Sequence, residues 1–111
     1  MEFNNNNPIY IQIYDWICDE ILHTRLKEGE RIQSVRELGA EIGVNPNTIM
    51  RTYEKLTTDN IIFNKRGIGY FIYDDAREKI ISVQKEYFMG TEVPKILEKM
   101  KLFGIDKLET E

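Results

Sequence analysis

This sequence has little of the residue types that build catalytic and metal sites. Cysteine and histidine occur once each, as Cys18 and His23, so the 111-residue chain has neither an internal disulfide nor a cysteine cluster of the kind that binds zinc. It also lacks a glycine-rich phosphate loop, a His-Glu-x-x-His run and a Gly-x-Ser-x-Gly run. We therefore expect no enzyme activity, no cofactor and no bound metal, and we interpret Cys18 as a core residue.

Long apolar runs are missing too, as is a basic leader followed by an apolar stretch. These absences predict a soluble cytoplasmic protein without membrane contact. A general excess of positive charge is also missing, since the net charge is -4. The charge is uneven, however: residues 25–73 carry eight bases against six acids, whereas both flanking segments are acidic. This small central surplus permits a phosphate-binding surface without requiring one.

Residues 34–59 carry the signals of two short helices joined by a tight turn. Ser34 opens a capping box of the form Ser-x-x-Glu. Gly43 suits the left-handed residue that ends a helix, and Asn45 followed by Pro46 suits the start of the next one. This pattern predicts a helix-turn-helix.

The second of these helices has a polar outward face. At about 100° per residue, Asn47, Arg51, Glu54 and Thr58 project away from its apolar stripe. An amide and a guanidinium near a helix N-terminus suit the adenine and guanine edges of a DNA major groove, and the hydroxyl of Thr48 suits a phosphate oxygen. Two packed surface helices that touch no nucleic acid would show the same spacing, but the outward face favours DNA binding.

Residues 61–73 predict a β-hairpin, because two apolar and aromatic runs flank a polar centre that contains glycine. Lys65 and Arg66 at its tip would bring two positive charges to the DNA backbone or minor groove, and Gly67 would let the backbone come close. A plain structural ribbon with a soluble tip is the alternative. Directly after a helix-turn-helix, the hairpin completes a winged helix, a mainly α fold with a small β-hairpin.

The last segment, residues 74–111, predicts two short amphipathic helices with a break at residues 89–91 and Thr91 as the cap of the second helix. Their apolar faces are too small to enclose a core, so they need a partner. We favour a homodimer over packing against the first helix. A two-fold dimer would set two recognition helices about one DNA turn apart on a palindromic operator. The predicted dimerisation residues are Ile80, Val83, Tyr87, Val93, Ile96, Leu97, Met100 and Phe103.

Several motifs taken together resemble the DNA-binding domain of GntR-family transcriptional regulators. In chain order they are PIYIQI at 8–13, LKEGERI at 26–32, SVREL at 34–38, GVNPNT at 43–48 and RGIGYF at 66–71. The Asn-Pro-Asn-Thr start of the second helix, followed by Arg51-Thr52-Tyr53, is similar to the YtrA-like subfamily. The resemblance covers about residues 8–73.

The resemblance implies a winged helix-turn-helix domain at residues 8–73 and a two-helix dimerisation segment at 74–111. The polar, asparagine-rich residues 1–7 predict a flexible arm. The family's DNA contacts come from the Ser-x-Arg-Glu-Leu motif, the start of the recognition helix and the wing. With the outward face above, the predicted DNA-binding residues are Ser34, Arg36, Asn45, Pro46, Asn47, Thr48, Arg51, Lys65, Arg66 and Gly67.

In function, the resemblance implies a regulator that binds a double-stranded DNA operator, typically as a repressor of nearby transporter genes. Many family members have arginine in place of Pro46 and Met50, so their base contacts do not transfer and the operator sequence stays open. The alternative function is a winged helix that contacts other proteins without specific DNA binding. The sequence designates no small-molecule effector.

Overall fold

Five α-helices and one β-hairpin make up residues 1–108, the part of the chain that the computed structural model describes. The helices are α1 (Ile9–Leu22), α2 (Val35–Ile42), α3 (Pro46–Thr58), α4 (Ala76–Tyr87) and α5 (Val93–Phe103). The strands are β1 (Ile62–Lys65) and β2 (Gly69–Ile72). The chain divides into two units, Met1–Ile80 and the residues from Ile81 onward.

The core of the first unit gathers apolar side chains from α1, α2, α3, the hairpin and the start of α4. In the sequence, the spacing of Tyr10, Ile13, Tyr14, Ile17 and Ile21 predicts a helix from Pro8 with one buried face. Helix α1 does bury Ile13, Ile17 and Ile21, which lie at the i, i+4 and i+8 positions of that face. The mainly α fold with a small hairpin is therefore confirmed. The largest fully buried side chains are Tyr53, Ile13, Ile17, Ile21, Ile49, Leu56, Ile62, Ile72 and Thr52.

Local hydrogen bonds fix the turn between α2 and α3 as the sequence predicts. The Ser34 hydroxyl accepts from the Glu37 backbone N–H at 3.1 Å, and the Ser34 N–H donates to the Glu37 carboxylate at 3.0 Å. Gly43 ends α2 in the left-handed conformation, with φ at 69°. The Asn45 side chain accepts from the backbone of Asn47 at 2.8 Å and so caps α3. The helix-turn-helix is confirmed.

The hairpin is tied to the loop that precedes α2. Strands β1 and β2 are antiparallel, and Lys65 pairs with Gly69 at the end of the ladder next to the turn. The loop runs alongside β2: the Ile32 N–H donates to the Tyr70 carbonyl at 2.9 Å, and the Ile72 N–H donates to the Glu30 carbonyl at 3.0 Å. These bonds fix the base of the wing while its tip stays exposed.

Residues 1–7 contact the start of α1. The Gln12 side chain accepts from the Asn4 N–H at 3.0 Å and donates to the carbonyls of Asn4 and Asn7 at 2.9 and 2.7 Å. Phe3 packs, partly buried, against the core. The flexibility of this arm stays a prediction.

From Ile81 onward the chain is helical as far as Phe103, since a π-helical segment, Phe88–Glu92, joins α4 to α5. The predicted break at residues 89–91 is wrong, because Tyr87, Glu92 and Val93 all have right-handed helical dihedrals. Thr91 is not the cap of α5: Glu92 holds that position and makes no side-chain capping bond. Gly104, with φ at 68°, ends α5. Within residues 1–108, none of the helices combines the length and apolar character that a membrane crossing requires.

Candidate nucleic-acid interface

The outward face of α3 is polar and exposed, as predicted. Helix α3 buries Ile49, Thr52, Tyr53 and Leu56. It leaves the predicted outward residues exposed, and these are Asn47, Arg51, Glu54 and Thr58. Because the buried stripe covers one side only, the opposite side of α3 is open and could fit into the major groove of DNA.

Arg51 lies at the edge of this face that borders α1. Its guanidinium carbon lies 4.0 Å from the centre of the Tyr10 ring, a cation–π contact. The next residue, Thr52, donates its hydroxyl to the Tyr10 carbonyl at 2.8 Å. Within residues 1–108 no carboxylate forms an ion pair with Arg51, so its donors remain available to a ligand.

Lys55, one turn further along α3, is engaged with its neighbours instead. Its ammonium lies 4.5 Å from the centre of the Tyr14 ring and 3.1 Å from a carboxylate oxygen of Asp59. The Tyr14 hydroxyl donates to the same oxygen at 2.7 Å. Burial, helped by this bond to Asp59, raises the pKa of Tyr14 far above its ordinary value, so the hydroxyl stays a donor. Lys55 therefore stabilises the packing of α1 on α3.

At the start of α3 the predicted residues have different surroundings. The side-chain oxygen of Asn45 is already bonded to the Asn47 N–H in the cap, and the Thr48 N–H donates to the Asn45 carbonyl at 2.9 Å. Asn47 is exposed, and its side chain has no partner among the described hydrogen bonds of residues 1–108. Pro46 occupies the first helical position, where its missing N–H leaves no bond unmade.

At the start of α2, Ser34 is half-buried in the capping box and Arg36 is exposed. The Ser34 backbone N–H holds the pKa of the Glu37 carboxyl below its ordinary value, with a smaller contribution from Arg31, 3.9 Å away. The carboxylate of Glu37 is thus paired within the helix start, and Arg36 presents its charge outward.

The wing tip presents Lys65, Arg66 and Gly67, all exposed. Gly67 has φ at 79°, and a Cβ added there would meet no atom within 4 Å, so a surface can approach this backbone closely. Next to the wing tip, a Cβ added to Gly69 would lie 2.7 Å from the Nε of Arg31. The Arg31 side chain therefore rests directly on the wing backbone.

Sequence reasoning missed two residues of this surface, Tyr10 and Arg31. Tyr10 falls on the apolar stripe of α1. The one feature of the sequence that could have indicated a surface role is that tyrosine combines an apolar ring with a polar tip. Arg31 is part of the LKEGERI motif, but nothing in that motif predicts contact with a glycine in the hairpin. The predicted DNA-binding residues all lie within Met1–Ile80, and hydrogen bonds at the start of α3 join Asn45 to Asn47 and Thr48.

The thiol of Cys18 is buried in the core of the first unit. Cys18 is 3% exposed, and burial raises the pKa of its thiol to about 12. In the part of the chain that the structure describes, no three His, Cys, Asp or Glu residues come together in a way that would hold a metal ion. The groups of this unit that are open to a ligand therefore lie on its polar surface.

Comparisons with known proteins agree with this geometry. Residues 9–72 match the family model of bacterial regulatory proteins of the gntR family. The chain is 34% identical to the HTH-type transcriptional regulator YhcF of Bacillus subtilis (strain 168), covering 97% of this chain and 88% of that protein. It is 30% identical to the HTH-type transcriptional repressor YtrA of the same organism, covering 92% and 88%. A solved GntR family transcriptional regulator from Listeria monocytogenes superposes with a TM-score of 0.77 at 32% identity, covering 95% of this chain and 90% of that one.

Proposed function

This chain belongs to the GntR family of bacterial regulatory proteins and is a DNA-binding transcription regulator, and from that premise we propose that it represses transcription by binding a palindromic operator as a homodimer. The observation that carries the proposal is the open polar face of α3, on which Arg51 forms no ion pair with any carboxylate of residues 1–108. The similar YtrA of Bacillus subtilis is named a transcriptional repressor, which supports repression over activation. By the subfamily resemblance, the regulated genes include transporter genes close to its own, and the protein acts in the cytoplasm.

Each predicted DNA-binding residue has a role in this proposal. Asn47 and Arg51 read base edges in the major groove, because an amide and a guanidinium form paired hydrogen bonds with adenine and guanine. The phosphate contacts come from the two helix starts and the wing, since hydroxyls, cations and backbone N–H groups bind phosphate oxygens. These contacts involve Ser34, Arg36, Asn45, Thr48, Lys65 and Arg66, with Pro46 and Gly67 allowing close approach.

The exposed apolar side chains from Ile81 onward support the homodimer. Among residues 81–108 none is buried, and Val83, Leu97 and Phe103 are 67%, 58% and 66% exposed. Apolar surface of this extent marks an interaction site in soluble proteins. Ile80 has a different environment, because it is 3% exposed and belongs to the core of the first unit. We therefore base the dimer surface on the other predicted residues.

Fluorescence anisotropy with the DNA upstream of this chain's own gene tests the function. The comparison is scrambled DNA of equal length at two salt concentrations. We expect a preference of roughly a thousandfold or more for the upstream site, and weaker binding at higher salt because phosphate contacts release counterions. No binding even at low salt would favour a winged helix that contacts proteins.

Two substitutions separate base reading from phosphate contact. Arg51→Ala should cost roughly 1–3 kcal/mol of binding free energy and relax the base preference at one position. Lys65→Ala should weaken binding to every sequence and reduce the salt slope by about one. Lys85→Ala, which removes the same charge from an exposed site on α4, is the matched control and should change neither. Unchanged binding in both test variants would reject the site assignment.

A further inference from the structure

Two tyrosines of α1 lie against two cations of α3, four residues apart on each helix. Tyr10 contacts Arg51 with 4.0 Å from ring centre to guanidinium carbon, and Tyr14 contacts Lys55 with 4.5 Å from ring centre to nitrogen. The equal spacing makes the pairs comparable, because residues at i and i+4 share a helix face. Their remaining contacts differ.

The Lys55 pair is closed by a third residue. The Asp59 carboxylate accepts from Lys55 and from the Tyr14 hydroxyl on one oxygen. The Arg51 pair has no such partner among residues 1–108, where no hydrogen bond or ion pair of the guanidinium is seen. A guanidinium stacked on a ring keeps its donors in its own plane, at its edge, where they can meet a base or a phosphate.

Tyr10 is itself fixed to α3. Its carbonyl accepts from the hydroxyl of Thr52 at 2.8 Å, and Thr52 is fully buried. Thr52, which anchors the Tyr10 backbone, therefore comes directly after Arg51, which the Tyr10 ring contacts. Because both contacts come from adjacent residues of one helix, the backbone of Tyr10 keeps its place relative to Arg51.

We propose that Tyr10 is a positioning residue for DNA recognition, whose ring holds the Arg51 guanidinium in its reading orientation before DNA arrives. An arginine that is free in solution loses conformational entropy when it binds a base, and an arginine that is already ordered loses less. Tyr10 acts through Arg51 and needs no DNA contact of its own. The inference rests on the proposed function, since it assumes that Arg51 contacts DNA.

The test selects duplexes from a random-sequence pool with the full-length chain and compares base preferences among variants. Tyr10→Leu removes the ring, Tyr10→Phe keeps it, and Arg51→Ala identifies the base pair that Arg51 reads. We expect Y10L to weaken binding to the selected duplex about two- to fivefold, the range of an exposed cation–π contact, and to lower the preference at that base pair. Y10F should retain both. In an Arg51→Ala background, Y10L should cause no further loss.

A matched control lies one turn away. Tyr14→Leu also removes a ring under a cation, but Lys55 remains paired with Asp59, so we expect no change in preference at the Arg51 base pair. A second measurement needs no DNA: the NMR order parameter of the Arg51 Nε–H bond should fall in Y10L and stay at the wild-type value in Y10F. If Y10L fails to fold, Tyr10→Met replaces it in both measurements.

The outcomes separate this inference from the proposed function. If R51A weakens binding and Y10L leaves binding and order parameter unchanged, the positioning role is rejected alone. If Y10L weakens binding equally with and without Arg51, Tyr10 acts on DNA or on the fold, and the positioning role is again rejected. If R51A binds DNA as the wild type does, the DNA-reading role of Arg51 is rejected, and the positioning role of Tyr10 is rejected too.

Discussion

Residues 1–80 and residues 81–108 place similar side chains in different surroundings. The first unit buries most of its isoleucines in one cluster that reaches from Ile13 to Ile80. In the second, all residues are at least partly exposed, and Leu102 reaches 79%. A unit with its own core can be stable alone, whereas exposed apolar helices become stable by covering one another. The first unit therefore has a core of its own, and the exposed apolar residues of the last helices support the proposal that a second copy covers them.

Deleting residues 92–111 should have the largest effect on this comparison. If these residues cover a two-fold partner, the shortened chain sediments as a monomer. Its operator affinity should fall roughly a hundredfold or more, because two half-sites are no longer bound by one particle. Analytical ultracentrifugation and anisotropy measure the two effects, and circular dichroism checks that the remaining residues keep their helices. A shortened chain that still sediments as a dimer would move the contact elsewhere.

Truncating one side chain in each unit tests the comparison more finely. Ile49→Ala opens a space at a fully buried site and should lower the free energy of unfolding by about 2–5 kcal/mol. Leu97→Ala should leave the unfolding of residues 1–80 within about 0.5 kcal/mol and raise the dimer dissociation constant. Urea unfolding at several protein concentrations measures both. Equal losses in the two variants would show that the units unfold as one.

Two glycines provide a matched pair. Gly43 has a left-handed backbone, so Gly43→Ala should destabilise the first unit by roughly 1–2 kcal/mol. Gly90 lies in the π-helical segment, and a Cβ added there would meet nothing within 4 Å, so Gly90→Ala should be neutral or stabilising by about 0.5–1 kcal/mol. Thermal unfolding compares them. A clear loss in Gly90→Ala would mean that a second copy packs against this residue.

The smallest expected effect is a pH dependence within the first unit. Since the folded-state pKa of Glu37 is lowered by its bond from Ser34, the stabilisation is fully present above the unfolded value of 4.5 and is lost as the pH falls through the folded value. Glu37→Gln lacks this charge at every pH. The wild type should therefore melt higher than the variant at pH 7, and the difference should shrink below about pH 4.5. A difference that stays constant down to pH 3 would contradict the assignment.

The features that sequence predicts well here have local causes. Ser34, Gly43 and Asn45 each satisfy backbone groups within a few residues of their own position, so their identity alone indicates where helices start and end. The apolar face of α1 and the position of the hairpin are predicted equally well, because a regular spacing or a glycine-containing turn lies within one stretch of chain.

The features that sequence misses depend on more than one element. Gly90 reads as a helix breaker, yet one glycine costs a helix only about 1 kcal/mol, and the chain continues through a π-helical turn. Tyr10 reads as a core residue because periodicity shows which face of α1 is apolar but does not show where that face meets Arg51. Ile80 lies on the same spacing as Val83, and only the folded structure shows that the core of the first unit ends at Ile80.

The enclosure of Cys18 has a consequence for thiol chemistry. A thiol whose pKa is raised to about 12 has almost no thiolate at neutral pH, and thiolate is the form that reacts with maleimides and peroxides. The chain has no other cysteine. A cysteine introduced at Arg66 or Leu97 would therefore be the one reactive thiol of the folded protein. Its alkylation rate, measured with and without operator DNA, would report directly whether the wing or α5 becomes covered.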